Sequence, residues 1–179
     1  MTVDFPARCA ELLAELGLNE ADAPLSVTPL SGGVASDIAK VRVGQDGSSD
    51  QKTYCVKFAL AKLRVKADWF APVTRSFTEY QWLKTAAQIS PDTAIQLYGH
   101  SERLNGFVMS YLQGEETCLF KSVLLAGDGR AEQAEAVGRL LGRIHAATAG
   151  PEFDRTAFAN RDDFHAIRIE PYLLHTARL

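Results

Sequence analysis

The order of strand-like and helix-like segments is the feature of this sequence that most constrains its fold. Five segments have the alternation, or the β-branched and aromatic content, that strands favour. They cover residues 25–30, 38–43, 53–60, 94–99 and 106–111. Helical spacing of apolar residues predicts helices over 4–18, 75–88 and 131–147. Alternating strand–helix–strand units would indicate a parallel sheet, whereas this order favours an antiparallel sheet followed by a helical part, an α+β fold.

Charge, hydropathy and cysteine content exclude several classes of protein. The formal net charge is -3 with no long run of one sign, which argues against nucleic acid or an anionic membrane as main partner. No stretch approaches about 18 consecutive apolar residues, the length that spans a membrane. The acidic first helix does not resemble a secretory signal. The three cysteines, Cys9, Cys55 and Cys118, predict neither a disulfide framework nor a zinc site, so we expect a cytoplasmic protein.

Lys57 lies in the middle of the clearest strand, 53–60. The apolar face of that strand carries Tyr54, Val56, Phe58 and Leu60. Lys57 therefore shares the opposite face with Cys55 and Ala59. Two interpretations are open: an exposed strand lysine, which is the commoner case, or a lysine held beneath a cavity.

Glu79 lies on the apolar side of the helix predicted over 75–88. A helical wheel groups Phe77, Tyr80, Leu83, Ala86 and Ala87 on that side. A carboxylate directed at a core needs a partner, because an unpaired buried charge is costly. Lys57 is the natural partner, and the alternative is a helix-edge glutamate whose carboxylate reaches water.

A glycine-containing loop, Leu-Ser-Gly-Gly-Val-Ala-Ser-Asp over 30–37, joins the first two predicted strands. Glycines let a backbone approach a ligand closely, and hydroxyl and free N–H groups can bind phosphate. A hairpin with no ligand is the alternative interpretation.

Several other side chains are predicted to pack in the interior. His145 lies on the apolar stripe of the helix over 131–147 and is predicted to be a hydrogen-bonded core histidine. The other members of the stripe are Ala134, Val137, Leu141 and Ile144. Packing roles are also predicted for Trp69, Phe70, Phe77 and Trp82.

Strand, glycine loop, strand, strand lysine and helix glutamate follow one another in the order found in the small lobe of kinases. Segment 54–57 resembles the lysine strand of protein kinases. Segment 107–112 resembles the hinge, 30–43 the nucleotide loop and 138–145 the long helix of the aminoglycoside phosphotransferase and choline kinase families. The resemblance extends from Leu25 to about Ala147.

The resemblance implies an ATP site and an α+β, protein-kinase-like small lobe. Lys57 would contact the α- and β-phosphates, and Glu79 would hold it in place. The residues that would cover the phosphates are Ser31, Gly32, Gly33 and Ser36. Cys55 would line the adenine pocket with Met109 as gatekeeper, and Ser110 and Leu112 would bond adenine through their backbone. Ser110 departs from the hinge pattern, in which an acidic residue is frequent, but only main-chain atoms are needed there.

The sequence also departs from the family at its catalytic motifs. The family's His-Gly-Asp loop and its second Asp motif, which supply the base and the Mg²⁺ ligands, do not occur. We therefore expect no catalytic or metal-binding residue within this chain, and expect base and metal ligands beyond Leu179. The resemblance predicts a kinase-like lobe over 1–112 and an incomplete helical lobe over 113–179, whose uncovered stripe would favour self-association.

The predicted function is ATP-dependent phosphoryl transfer to a hydroxyl of a small molecule, with little or no turnover expected from this chain alone. Aminoglycoside, choline, methylthioribose and homoserine kinases would look alike over these residues, so the acceptor stays open. One alternative is a non-catalytic nucleotide-binding or partner-docking module with a kinase-like lobe. Another is an α+β domain in which the glycine loop and the lysine have no shared function.

Overall fold

The structure, a computed structural model, describes residues 4–19, 23–31, 33–113 and 117–178. The helices are α1 (Phe5–Glu15), α2 (Arg75–Ile89), α3 (Phe120–Leu125), α4 (Ala131–Ala149) and α5 (Arg161–Phe164). The strands are β1 (Leu25–Leu30), β2 (Ser36–Val43), β3 (Lys52–Ala59), β4 (Leu97–Ser101) and β5 (Gly106–Ser110). Short 3-10 turns cover Pro91–Thr93, Thr156–Phe158 and Thr176–Arg178, and a π-helix covers His165–His175.

The strands form one sheet in the order β1-β2-β3-β5-β4, and every neighbouring pair is antiparallel. This confirms the predicted α+β fold with a five-stranded antiparallel sheet and helices. The predicted fourth strand begins too early, because Pro91–Thr93 forms a 3-10 turn and pairing starts at Leu97.

Helix α1 covers one face of the sheet and forms the main core with it. Its Cys9, Leu12 and Leu13 are completely buried. They pack on a cluster of strand residues that includes Val41, Tyr54, Val56, Phe58 and Val108. A proline in the first turn and Gly17, with φ +67°, delimit this helix. The apolar alternation in β3 therefore marks the face that α1 covers.

The opposite face of the sheet is partly covered by α2. Phe77 and Tyr80 contact the ring of His100 on β4, and Tyr80 also contacts Phe107 on β5. Cys55 and Ala59, which flank Lys57 on this face of β3, are both buried. The sheet is thus covered on both sides, and Lys57 lies on the side that faces α2.

Tight packing between β3 and β5 depends on Gly106. A Cβ atom at this position would lie 2.3 Å from Cδ1 of the fully buried Phe58. Any side chain would force Phe58 to move, so close strand approach accounts for the glycine.

The helices after the sheet are less buried than the sequence predicts. On the predicted stripe of α4 only Ile144 is buried, whereas Val137 and Leu141 are 40% and 44% exposed. The prediction of a core histidine is wrong, because His145 is exposed. Packing roles for Phe70 and Trp82 are wrong in the same way, since these side chains are exposed. Self-association through the uncovered stripe stays a prediction.

All three cysteines are free, with Cys9 and Cys55 buried and Cys118 exposed. Among the described residues, no helix is both long and apolar enough to cross a membrane.

Candidate functional site

The centre of the candidate site is an ion pair between Lys57 and Glu79. The Nζ atom of Lys57 donates a hydrogen bond to Oε1 of Glu79. The Lys57 side chain is 19% exposed and that of Glu79 is 41% exposed. Lys57 projects from the central strand β3, and Glu79 lies in the second turn of α2. The structure therefore contains the contact that the apolar position of Glu79 predicts.

The glycine loop lies beside this pair, and the carbonyl groups of Val34, Ala35 and Ser36 accept hydrogen bonds. The carbonyl of Val34 accepts from the Arg64 amide at 2.8 Å, and that of Ala35 accepts from the Leu60 amide at 3.1 Å. The carbonyl of Ser36 accepts from the Arg64 guanidinium at 3.4 Å. The loop is thus fixed through its oxygen atoms.

Three amide N–H groups of the same loop differ from these carbonyls in having no partner among the described residues. Within the described part of the chain, those of Gly33, Val34 and Ala35 donate no hydrogen bond. A Cβ at Gly33 would meet the Ser36 carbonyl at 3.6 Å and Ile38 at 3.9 Å, ordinary contact distances. The fold alone therefore does not require glycine at this position. Gly32, also predicted to bind phosphate, lies outside the described residues, and Ser31 is exposed.

A small hairpin after β3 closes one side of the site. The Leu63 amide donates to the Trp69 carbonyl at 2.9 Å, and the Ala71 amide donates to the Ala61 carbonyl at 3.0 Å. Arg64, near the tip of this hairpin, also forms an ion pair with Asp37. These contacts join the hairpin to the glycine loop on the side of the sheet where Lys57 lies.

A cavity of about 590 Å³ brings part of the predicted site together. Ser36, Lys57 and Glu79 line it. Side chains from the hairpin, α2 and the C-terminal segment complete its wall, among them Trp69, Trp82, Arg168 and Tyr172. The cavity therefore brings an ammonium group, a carboxylate and a hydroxyl group together with aromatic rings.

The predicted adenine-binding residues lie next to this cavity but do not line it. Cys55 pairs with Met109 across β3 and β5, on the same face as Lys57. Burial raises the pKa of the Cys55 thiol. The thiol is therefore neutral and is not a nucleophile. The Ser110 amide donates to the Gln96 carbonyl at 2.8 Å, so this amide is already used within the sheet. Leu112 is 61% exposed just past the end of β5.

Sequence reasoning missed Arg75, a buried arginine at the start of α2. A signal was present, because a cation at the N-terminus of a helix opposes the helix dipole and needs other partners. It also missed the contact of Lys40 with the ring of Tyr111, 4.7 Å from Nζ to the ring centre. Lys40 pairs with Cys55 across β2 and β3, so this contact borders the predicted adenine pocket.

His100 lies where α2 packs on the sheet. Its Nε2 atom is 3.3 Å from the Ser76 hydroxyl, and its ring lies against Phe77 and Tyr80. Burial lowers the pKa of His100, and the carboxylates of Glu102 and Glu15 oppose this shift only in part. The folded protein therefore favours the neutral imidazole.

Acid is expected to loosen this contact. Because the pKa of His100 in the folded state lies below its unfolded value of 6.5, the unfolded chain binds a proton more readily. The free energy of unfolding should fall as the pH drops below about 6.5, and His100→Gln should flatten that dependence. Urea unfolding at pH 7.5, 6.5 and 5.5 measures it, with the exposed His145→Gln as control. If the free energy of unfolding depends on pH equally in the wild type and in His100→Gln, the lowered pKa of His100 is not the cause of that dependence.

Comparison with known proteins adds no assignment. A scan against models of protein families and a search of curated proteins each found no match. Among the described residues, no group of three or more His, Cys, Asp or Glu side chains could hold a metal ion.

Proposed function

We propose that this chain binds ATP on the α2 side of its sheet and serves an ATP-dependent phosphotransferase whose acceptor is a hydroxyl group of a small molecule. The protein-kinase-like small lobe that the sequence resembles is part of the same proposal. The observation that carries it is the Lys57–Glu79 ion pair beside a loop in which the amides of Gly33, Val34 and Ala35 donate no hydrogen bond to any described residue.

The ion pair supports a phosphate site because it is poorly explained by stability alone. A half-buried lysine loses hydration, and a pair with a carboxylate offsets that loss only in part. The pair instead holds the ammonium group in one position at the wall of a cavity. An ammonium group in a fixed position can bind phosphate oxygens without reorganising when the ligand arrives.

The loop supports the same site through its backbone. Val34, Ala35 and Ser36 turn their carbonyl groups toward Arg64 and Leu60, while neighbouring amides stay free. Successive free amides form a partial positive charge that favours anions. A glycine that the fold does not require leaves room for a ligand to approach the backbone.

The neighbouring surface suits a purine base. Cys55 is small and buried, and Met109 beside it is a flexible apolar side chain. The carbonyl of Ser110 and the amide of Leu112 would supply an acceptor and a donor for the edge of adenine. Base and phosphates would then lie along one face of β3, with Lys57 at the phosphate end.

Phosphoryl transfer depends mainly on positioning and on neutralising charge. In this proposal Lys57 would neutralise the α- and β-phosphates, Glu79 would orient Lys57, and the loop amides and Ser36 would cover the phosphates. Mg²⁺ would supply further neutralisation when bound. The described residues offer no ligand set for it, so no residue is assigned to the metal.

Calorimetric titration with ATP, ADP and adenosine tests the proposal. Affinity should fall as phosphates are removed, by about tenfold or more between ADP and adenosine, because charge-assisted contacts are lost. Equal affinities for ATP and adenosine would contradict a phosphate site at Lys57. Binding of none of the three would overturn ATP binding and favour a partner-docking module.

A transfer assay tests whether an acceptor takes part. No catalytic base is assigned within this chain, so the chain alone should release little ADP, and any release should depend on an added acceptor from a panel of small hydroxyl compounds, including an aminoglycoside, choline, methylthioribose and homoserine. Release of ADP at an ordinary kinase rate would contradict the expectation that the catalytic base is absent from these residues.

A further inference from the structure

Arg75 is a buried cation at an unfavourable place for one. It is the first residue of α2 and is 8% exposed. The N-terminus of a helix carries a partial positive charge, so an arginine there is disfavoured unless other groups accept its hydrogen bonds. Burial lowers the pKa of Arg75, and the carboxylates of Asp163 and Glu79 oppose this shift.

Four backbone carbonyl groups accept hydrogen bonds from the Arg75 guanidinium. One terminal nitrogen donates to Ala35 at 2.5 Å and to Leu60 at 2.8 Å. The other donates to Pro72 at 2.6 Å and to Ala71 at 3.2 Å. A buried arginine is stable only when its donors are satisfied, and here the acceptors are all main-chain atoms.

These four carbonyls belong to the segments that build the candidate site. Ala35 is in the glycine loop, Leu60 follows the strand that carries Lys57, and Ala71 and Pro72 precede α2. Glu79 lies one helical turn beyond Arg75 on the same helix. One side chain thus connects the phosphate-covering loop to both elements that supply the ion pair.

We propose that Arg75 is a positioning residue that holds the glycine loop in register with Lys57 and Glu79. It touches no phosphate itself and acts through the Ala35 and Leu60 carbonyls. The effect of Arg75 on nucleotide binding rests on the proposed ATP site. Its hold on the glycine loop, in contrast, is a property of the ligand-free protein.

Lysine cannot replace this arginine. A guanidinium group has five donors in a planar fork and can reach carbonyls on two sides at once, whereas an ammonium group is a single point of charge. Arg75→Lys keeps the charge and most of the length, but its single nitrogen cannot bond Ala35 and Leu60 on one side and Pro72 and Ala71 on the other at the same time. It therefore separates the positioning role from the role of the charge.

The first measurement is amide hydrogen exchange on ligand-free protein. The Leu60 and Arg64 amides, which donate to the loop carbonyls of Ala35 and Val34, should be protected in the wild type. In Arg75→Lys they should exchange about tenfold faster or more, while core amides of β3 keep their rates. Arg103→Lys, which alters an exposed arginine paired with Glu11 and Glu15, is the matched control and should change neither.

The second measurement compares ATP with adenosine. Arg75→Lys should weaken ATP binding by about tenfold and adenosine binding by less than about twofold, because only the phosphates need the loop. Equally weakened binding of ATP and adenosine would show a merely structural role and overturn the proposal. Faster amide hydrogen exchange throughout the sheet would do the same.

The outcomes also separate this inference from the proposed function. If the wild type binds no ATP but the Leu60 and Arg64 amides respond to Arg75→Lys, the ATP site is wrong and the hold on the loop stands. If these two amides do not respond, the inference is wrong whatever ATP does. Should Arg75→Lys fail to fold, the wild type decides, since exchange of the Leu60 and Arg64 amides as fast as that of unprotected amides would overturn the inference.

Discussion

Lys57→Met is expected to weaken ATP binding by roughly 10- to 150-fold, the factor that corresponds to a charge-assisted contact of about 1.5–3 kcal/mol. Methionine keeps the length and the apolar stem of lysine and removes only the ammonium group. The loss should be largest for ATP and ADP and small for adenosine, because the ammonium group faces the phosphates in the proposed site. Calorimetry with the three ligands measures this directly.

The substitution should leave the fold intact, which makes the binding result interpretable. Glu79 is 41% exposed, so its carboxylate stays hydrated when Lys57 no longer pairs with it. Partly exposed ion pairs contribute only about 0–1 kcal/mol to stability. Urea unfolding of Lys57→Met should therefore be close to that of the wild type. Glu79→Gln should give a smaller loss of affinity, since Lys57 remains but is less well held.

Lys62→Met is the matched control for this experiment. Lys62 also pairs with a carboxylate, that of Asp68, but its side chain is 55% exposed and does not line the cavity. Its substitution should change ATP affinity by less than about twofold. If Lys62→Met and Lys57→Met weaken binding equally, the phosphates respond to general positive charge and the proposed site is wrong.

The sheet was predictable from sequence because strand patterns are local. Alternation of apolar residues in β3 identified the face that α1 covers, and the position of Glu79 on α2 predicted its contact with Lys57. Both inferences use the fixed geometry of strands and helices, in which sequence spacing determines the direction of a side chain. A contact between two charged side chains is also visible in the sequence at both positions, because each partner is a charged residue within an otherwise apolar pattern.

Contacts to the backbone leave no such signal. The acceptors of Arg75 are carbonyls of Ala35, Leu60, Ala71 and Pro72, which any residue could supply. Exposure of apolar residues is equally hidden, since Phe70 and Trp82 look like core residues until the packing around them is known. His145 was misplaced for the same reason, because a helical stripe shows which residues share a face but not what covers it.

Phe58→Ala is expected to lower the free energy of unfolding by about 3–5 kcal/mol, the range for removing a buried phenylalanine ring. Phe58 is completely buried and is among the largest side chains in the core. Its ring lies 6.2 Å from that of Phe5, and the Arg8 guanidinium stacks over it at 4.1 Å. Since small domains have only about 5–15 kcal/mol in total, the variant should be close to unfolding at room temperature.

Phe70→Ala is the control for this second experiment, because it removes the same ring from a side chain that is 62% exposed. Urea unfolding should show a loss of less than about 1 kcal/mol for it. Equal losses of unfolding free energy in the two variants would contradict the packing of Phe58 against α1.

Lys57 and Phe58 are neighbours in the chain but face opposite sides of β3, which lets the two substitutions test the architecture together. Phe58→Ala should reduce stability, while the molecules that stay folded bind ATP with nearly unchanged affinity. Lys57→Met should leave the free energy of unfolding nearly unchanged and should weaken ATP binding. Separate effects would show that the α1 face of the sheet maintains the fold and the α2 face binds the ligand. A large loss of ATP affinity in folded Phe58→Ala would place the nucleotide on the wrong side of the sheet.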